Sequence, residues 1–165
     1  MDSAQDPTGD QEVATMTLPA RTGKFTGIKV VDVMTANPLT VKAEESVGLA
    51  DELMAENNIR QIPVLAGREL IGIVTDRDVR AFLSDTLLPD PEAREKALKT
   101  PLGEIMTTEP IYLAPDDELE EALELLIEQK FGAIPVLDEA EGLVGIVSYV
   151  DVLRCFLDRL REDKL

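Results

Sequence analysis

The strongest constraint on this 165-residue chain is that it repeats itself. Val33-Met34-Thr35-Ala36-Asn37-Pro38-Leu39-Thr40-Val41 is echoed 72 residues later by Ile105-Met106-Thr107-Thr108-Glu109-Pro110-Ile111-Tyr112-Leu113. Ile62-Pro63-Val64-Leu65 returns at the same offset as Ile134-Pro135-Val136-Leu137. Leu70-Ile71-Gly72-Ile73-Val74-Thr75 returns at an offset of 73 as Leu143-Val144-Gly145-Ile146-Val147-Ser148, and Asp78-Val79 and Asp151-Val152 keep the new offset. One residue inserted in the turn from Asp138 to Gly142 accounts for the change. Blocks that recur in one order and nearly one register mark an internal duplication.

Each unit reads the same way. A short strand follows the proline, at Leu39 to Val41 and at Ile111 to Leu113. A helix comes next, with Val47, Ala50, Leu53 and Met54 in unit one. In unit two, Leu119, Ala122, Leu123 and Leu126 recur at the spacing that places them on one helical face. Glu45 or Ser46, and Asp116 or Asp117, supply acidic or hydroxyl groups at the helix starts. Two β-branched apolar runs, 61–65 and 70–74, flank Ala66-Gly67-Arg68-Glu69 and read as buried strands joined by a tight turn. A final helix starts beyond Thr75 or Ser148 and carries Val79, Phe82 and Leu83, or Val152, Phe156 and Leu160.

The expected fold is therefore α/β (α+β), with two repeated β-α-β-β-α units. A unit of about 60 residues has too little core to stand alone, whereas two packed together bury each other's sheets. Residues 1–23 show no helix or strand period and are expected to form a disordered tail, or else a short partner-binding arm. Unit one then spans 24–84, a linker with a short helix (Glu92 to Leu98) spans 85–100, and unit two spans 101–165.

Composition narrows the chemistry. The chain has no histidine and one cysteine, Cys155. It therefore holds no Ser-His-Asp or Cys-His unit, no histidine metal site and no internal disulfide. Cys155 reads as a buried helix residue. The formal charge of -17 and the lack of any Lys/Arg cluster argue against a nucleic-acid partner. Such acidity keeps a protein soluble and also suits a salty cytoplasm. No apolar run approaches the roughly 20 residues of a membrane span. Met1 to Asp6 carries neither the basic region nor the apolar core of a secretion signal, so no membrane and a cytoplasmic location are expected.

Thr75 and Ser148 sit where an apolar strand meets a helix, where free N–H groups and the helix dipole favour an anion and a hydroxyl adds a donor. Three residues on, Asp78 and Asp151 place a carboxylate in the first helical turn, suited to the paired hydroxyls of a ribose. The same spacing is that of a helix capping box. Arg77 and Arg80 flank Asp78, where unit two has Val150 and Leu153, and guanidinium groups grip phosphate in a forked geometry. They are equally able to form surface ion pairs. Between Asp116 and Glu141 unit two has ten acids and one lysine, so phosphate is expected at unit one first. The acid run 116–121 reads as a solvated helix face rather than a metal site, because consecutive helix residues point in different directions. Gly132, aligned with Arg60, permits close approach or caps the preceding helix.

Val-Met-Thr-x-x-Pro before the first strand, Ile-Pro-Val on the second and Gly-Ile-Val-Thr-Asp-Arg-Asp-Val after the third resemble the tandem cystathionine-β-synthase-type (CBS) domain pair, or Bateman module. The resemblance covers residues 26 to 160 and occurs twice in order. It implies two units about a pseudo-twofold axis, with clefts that bind adenine nucleotides or adenosyl compounds, and dimerisation into flat discs. It assigns phosphate to Thr75 and Ser148 and ribose to Asp78 and Asp151. It places Thr40 and Tyr112 around base or phosphate, and Ile62-Pro63 and Ile134-Pro135 beside the adenine, although core packing is the favoured reading of both isoleucines. No flanking enzyme or channel sequence is present, so a stand-alone module is expected.

The expected function is thus a regulatory sensor, not an enzyme, with no required cofactor. Its ligand is AMP, ADP or ATP, with NAD and S-adenosylmethionine as alternatives. A homodimer and an unidentified regulated protein are the expected partners. The competing readings are a ligand-free scaffold of the same fold and, behind it, a carboxylate–metal enzyme.

Overall fold

The computed structural model describes residues 27–86 and 90–162. The expectations for residues 1–23 lie outside these.

Strand β1 (Thr35–Ala36), β2 (Val41–Lys42), helix α1 (Val47–Asn57), β3 (Gln61–Ala66), β4 (Glu69–Thr75) and α2 (Asp76–Thr86) make up the first repeat. After α3 (Pro91–Leu98), the second repeat runs through β5 (Thr107–Thr108), α4 (Leu119–Glu128), β6 (Ala133–Leu137), β7 (Leu143–Ser148) and α5 (Tyr149–Glu162). The β3–β4 and β6–β7 hairpins fall where the apolar runs predict them. Their registers, Ile62↔Val74 and Ile134↔Val147, match under the repeat. The inserted residue lies in the second hairpin turn, where Asp138 Oδ1 accepts from the N–H groups of Ala140 and Gly142 at 3.0 and 2.8 Å.

The first strand of each repeat is shorter than expected. β2 starts at Val41, and in unit two Leu113 alone forms a parallel bridge to Val136. The backbone turns away at once in both copies. Glu45 Oε2 accepts from Lys42 N–H, and Asp117 Oδ2 from Ala114 N–H, both at 2.7 Å. Those carboxylates close the turn and do not cap the helix. Ser46 caps α1 by accepting from Leu49 N–H at 3.2 Å, while Glu118, at the α4 N-cap, makes no side-chain cap bond. The linker helix begins one residue earlier than expected, capped by Asp90 with Pro91 in the first turn.

The sheets exchange strands. One has the order β2-β3-β4-β5 and the other β1-β7-β6. Thus β5, from the second repeat, completes the first sheet (Ile73↔Thr107), and β1 completes the second (Thr35↔Ile146). The cores follow. Leu102 is fully buried in the core formed by Val41, Val47, Ile62 and Val74, with Ile105 and Met106 packed against it. Val30 is fully buried among Leu113, Leu119, Ile134 and Val147, with Val33 and Met34 alongside. Each burial removes apolar surface worth about 1.5–3 kcal/mol per side chain.

The glycines of the repeated Gly-Ile-Val make room for this crossing. A Cβ at Gly72 would lie 2.9 Å from the Thr107 carbonyl oxygen and 2.6 Å from Met106 Sδ. At Gly145 it would lie 3.0 Å from Met34 Cγ. Each crossing segment is a strap; Lys29 fastens the one that leads into β1 by donating to Glu118 at 2.5 Å, and that bond raises the Lys29 pKa.

Cys155 is half-buried against the second core. Glu120, Glu121, Glu124 and Glu128 of α4 face solvent, as a solvated acidic face should. Among the described residues no helix is long and apolar enough to cross a membrane.

Candidate functional site

At the ends of β4 and β7 the chain enters a helix without a loop, so hydroxyl and carboxylate meet across the first turn. Thr75 N–H and Oγ1 both donate to Asp78 Oδ2, at 2.9 and 2.7 Å, and Asp78 N–H returns a bond to Thr75 Oγ1 at 3.2 Å. Ser148 and Asp151 repeat this box at 2.9, 2.5 and 3.2 Å. In both copies the hydroxyl's single proton goes to the aspartate. In this arrangement the hydroxyl aims the carboxylate.

The surroundings of the two boxes differ. Ser148 and Asp151 line a cavity of about 580 Å³, within the size range of small-molecule pockets. Its walls come from three places: Thr35, Pro38 and Leu39 of the exchanged strap, Asn57 to Gln61 from the end of α1 to the start of β3, and Ala133, Ile146, Ser148 to Asp151 and Arg154 of unit two. Asp151 Oδ1 accepts from Thr35 Oγ1 at 3.3 Å and lies 3.7 Å from an Arg154 guanidinium nitrogen. Two arginines, Arg60 and Arg154, therefore line the cavity with one acidic residue, Asp151. Pro38, Leu39 and Ile146 give it an apolar side.

Thr75 and Asp78 lie outside this cavity. Arg77 and Arg80 line a separate groove of about 460 Å³ with Arg60, Asp76, Ala81 and Ser84. Arg80 pairs with the Asp76 carboxylate, and its Nε donates to the Asp76 carbonyl at 3.2 Å. Thr40 lines a third space of about 300 Å³ with Asn37, Pro38 and Arg68. Ile62, Pro63, Ile134 and Pro135 are fully buried, so packing explains them, and Tyr112 is 55% exposed.

Gly132 does not cap α4. The left-handed residue there is Lys130, at φ 56°, matching Asn58 at φ 51° after α1. Gly132 instead admits the Gln61 side chain, which a Cβ would meet at 2.5 Å.

The contributions of Arg60, Arg154 and the strap residues were not read as site features from sequence. A signal existed for the arginines. Under the repeat, Arg60 aligns with Gly132 and Arg154 with Ala81, so each is a charge that one copy has and the other lacks.

The CBS domain model matches residues 30–85 and 102–158, and the chain belongs to the CBS-domain family. It carries the domain twice, as a Bateman module does. It is 34% identical over 167 aligned residues to the chloroplastic CBS domain-containing protein CBSX2 of Arabidopsis thaliana, covering 88% of this chain and 69% of that one. The crystal structure of CBSX2 in complex with AMP matches with a TM-score of 0.69 at 33% identity, covering 80% of this chain and 98% of the other. The CBS domain pair of protein MJ0100, in complex with 5′-methylthioadenosine and S-adenosyl-L-methionine, matches with a TM-score of 0.67 at 25% identity, over 78% and 99% of the two chains. Inosine-5′-monophosphate dehydrogenase of Korarchaeum cryptofilum is 36% identical over 114 residues, 69% of this chain, which spans 21% of that enzyme's length.

Proposed function

We propose that the chain is a regulatory module that binds an adenine nucleotide or adenosyl ligand in the cleft around Asp151 and signals its presence to a partner protein. The observation that carries this reading is the cleft: an aimed carboxylate, two arginines and an apolar side in one cavity, built from both repeats. Asp151, held by Ser148, takes the ribose hydroxyls, Arg60 and Arg154 take a phosphate, and Pro38, Leu39 and Ile146 flank the base. The AMP complex of CBSX2 and the adenosyl complexes of MJ0100 support the ligand class. The Asp151 cleft, not unit one, is the primary site. This reverses the order expected from Arg77 and Arg80, because those side chains are set apart from the Thr75–Asp78 box. The dehydrogenase similarity extends to a fifth of that enzyme, and the reading assigns this chain binding, not catalysis.

A thermal-shift and calorimetry panel of AMP, ADP, ATP, NAD and S-adenosylmethionine tests the proposal. At least one should raise the melting temperature with increasing concentration, since a ligand that binds the native state stabilises it by mass action. Asp151→Ala should abolish that response while the fold persists. If no panel member shifts the wild type, the ligand-free scaffold is the better reading.

The partner surface nearest to hand is a second copy. Val150, Leu153, Leu157 and Leu160 recur along α5 at helical spacing and are 44%, 60%, 46% and 55% exposed. The stripe is palindromic, so two antiparallel copies set Val150 against Leu160 and Leu153 against Leu157. On α2 the equivalent positions are Arg77, Arg80 and Ser84, so we place the homodimer contact on α5. Sedimentation should show a dimer that Leu153→Lys converts to a folded monomer, and a monomeric wild type would remove this contact.

A further inference from the structure

Arg60 faces two spaces at once. It lines the 580 Å³ cleft with Asp151 and Arg154, and it also lines the 460 Å³ groove along α2 with Asp76, Arg77 and Arg80. Its carbonyl accepts a hydrogen bond from Asp76 N–H at 2.9 Å, which fixes the turn before β3 against the start of α2. Cleft and groove are therefore neighbours that share one residue, Arg60.

Along this path four arginines (Arg154, Arg60, Arg77 and Arg80) face two carboxylates, Asp151 and Asp76. The path is net positive in a chain whose formal charge is -17. All four arginines stand at positions where the repeat carries an uncharged residue in its other copy: Ala81, Gly132, Val150 and Leu153. The shared scaffold does not require them. Arg77 is exposed, and the Arg80–Asp76 pair is solvent-facing, with side-chain exposures of 71% and 31%. Such pairs hold weakly and exchange readily for a more highly charged partner. A planar guanidinium fork matches two phosphate oxygens at a time.

We propose that the groove along α2 is a polyphosphate subsite, through which this module discriminates nucleoside di- and triphosphates from monophosphates. The inference rests on the nucleotide-binding reading above. The nucleoside and its first phosphate occupy the cleft at Asp151 and Arg154. The terminal phosphates pass Arg60 and end between Arg77 and Arg80, displacing Asp76 from Arg80. A monophosphate is too short to reach the groove.

Calorimetric titration of the full chain with AMP, ADP and ATP, at low and at high salt, tests this. Affinity should rise with each phosphate, with ATP about tenfold tighter than AMP, the size expected of charge-assisted bonds made by one ligand and not the other. Salt should narrow the gap, because the added contacts lie in screened solvent. The double variant Arg77→Ala/Arg80→Ala should bring the ATP-to-AMP ratio close to one. Asp76→Asn, which removes the carboxylate that competes for Arg80 and leaves its bond to the backbone carbonyl, should widen it. Melting curves of both variants establish that they fold. Equal AMP and ATP affinity in the wild type, or an unchanged ratio in the double variant, would overturn the subsite and leave the nucleotide cleft standing. Absence of binding by every nucleotide would overturn both.

Discussion

The two repeats close the same box of three hydrogen bonds, Thr75 with Asp78 and Ser148 with Asp151, and then part company. Around Asp151 the chain sets a strap threonine, two arginines and a cavity. Beside Asp78 it sets arginines on an open helical face, one of them tied to Asp76. The outer face of α5 is apolar where that of α2 is basic. What the copies share is what the fold needs: hairpins, a boxed helix start, a glycine under a crossing strap. What they do not share is the cavity, the arginines and the apolar stripe.

The comparison can be broken hardest at the exchanged straps. Leu102→Ala should lose about 2–5 kcal/mol, as fully buried leucines do, although Leu102 belongs by sequence to the repeat whose core it does not enter. Chemical denaturation should still show a single transition, because each repeat completes the other's core. Two separated transitions would mean that the halves are independent. Next in size come the paired glycines. Gly72→Ala meets a backbone carbonyl, which cannot swing away, and should cost about 1–3 kcal/mol. Gly145→Ala meets the Met34 side chain, which adapts, so its loss should be the smaller of the two. Equal losses would show that the crossings are not distinguished by what lies above them. The smallest effect separates the helix starts. Ser46→Ala should cost about 1 kcal/mol, whereas Glu118→Ser should change stability by less, because the cap it adds to α4 is offset by loss of the bond from Lys29.

Local periodicity made much of this fold legible. The apolar runs 61–65 and 70–74 contain their own pairing information, because a hairpin is a contact between neighbours. Helices α1 and α4 follow from their apolar stripes, and the duplication carried each reading to the second copy. The exchange of β1 and β5 was not legible. Each is two residues long, and each pairs with a strand far away in the chain, so no period announces it. The motif that holds them, Val-Met-Thr, was visible, as was the glycine beneath it, but nothing local says that Met34 lies over Gly145 and not over Gly72.

The site divides the same way. The Ser148–Asp151 spacing showed a box, and the box is there. That its hydroxyl serves the carboxylate depends on the direction of one proton. Arg60 and Arg154 lie far apart in sequence and come to line one cavity, one from the turn before β3 and the other from α5. Read as conserved scaffold, the repeat hides them. Read for its mismatches, it points to both.

The strap from Thr35 to Val41 has a mechanical consequence. It starts hydrogen-bonded to Asp151 and paired with Ile146 in one sheet, skirts the cleft at Pro38 and Leu39, and ends paired with Val64 in the other. It is a tendon anchored at both ends. Midway stands Asn37, at φ 49°, a left-handed kink that asparagine tolerates better than most residues. A molecule wedged against Pro38 cannot move this tendon without loading both anchorages. The strap thereby ties the wall of the cleft to both sheets at once, with Asp151 and Ile146 at one end and Val64 at the other.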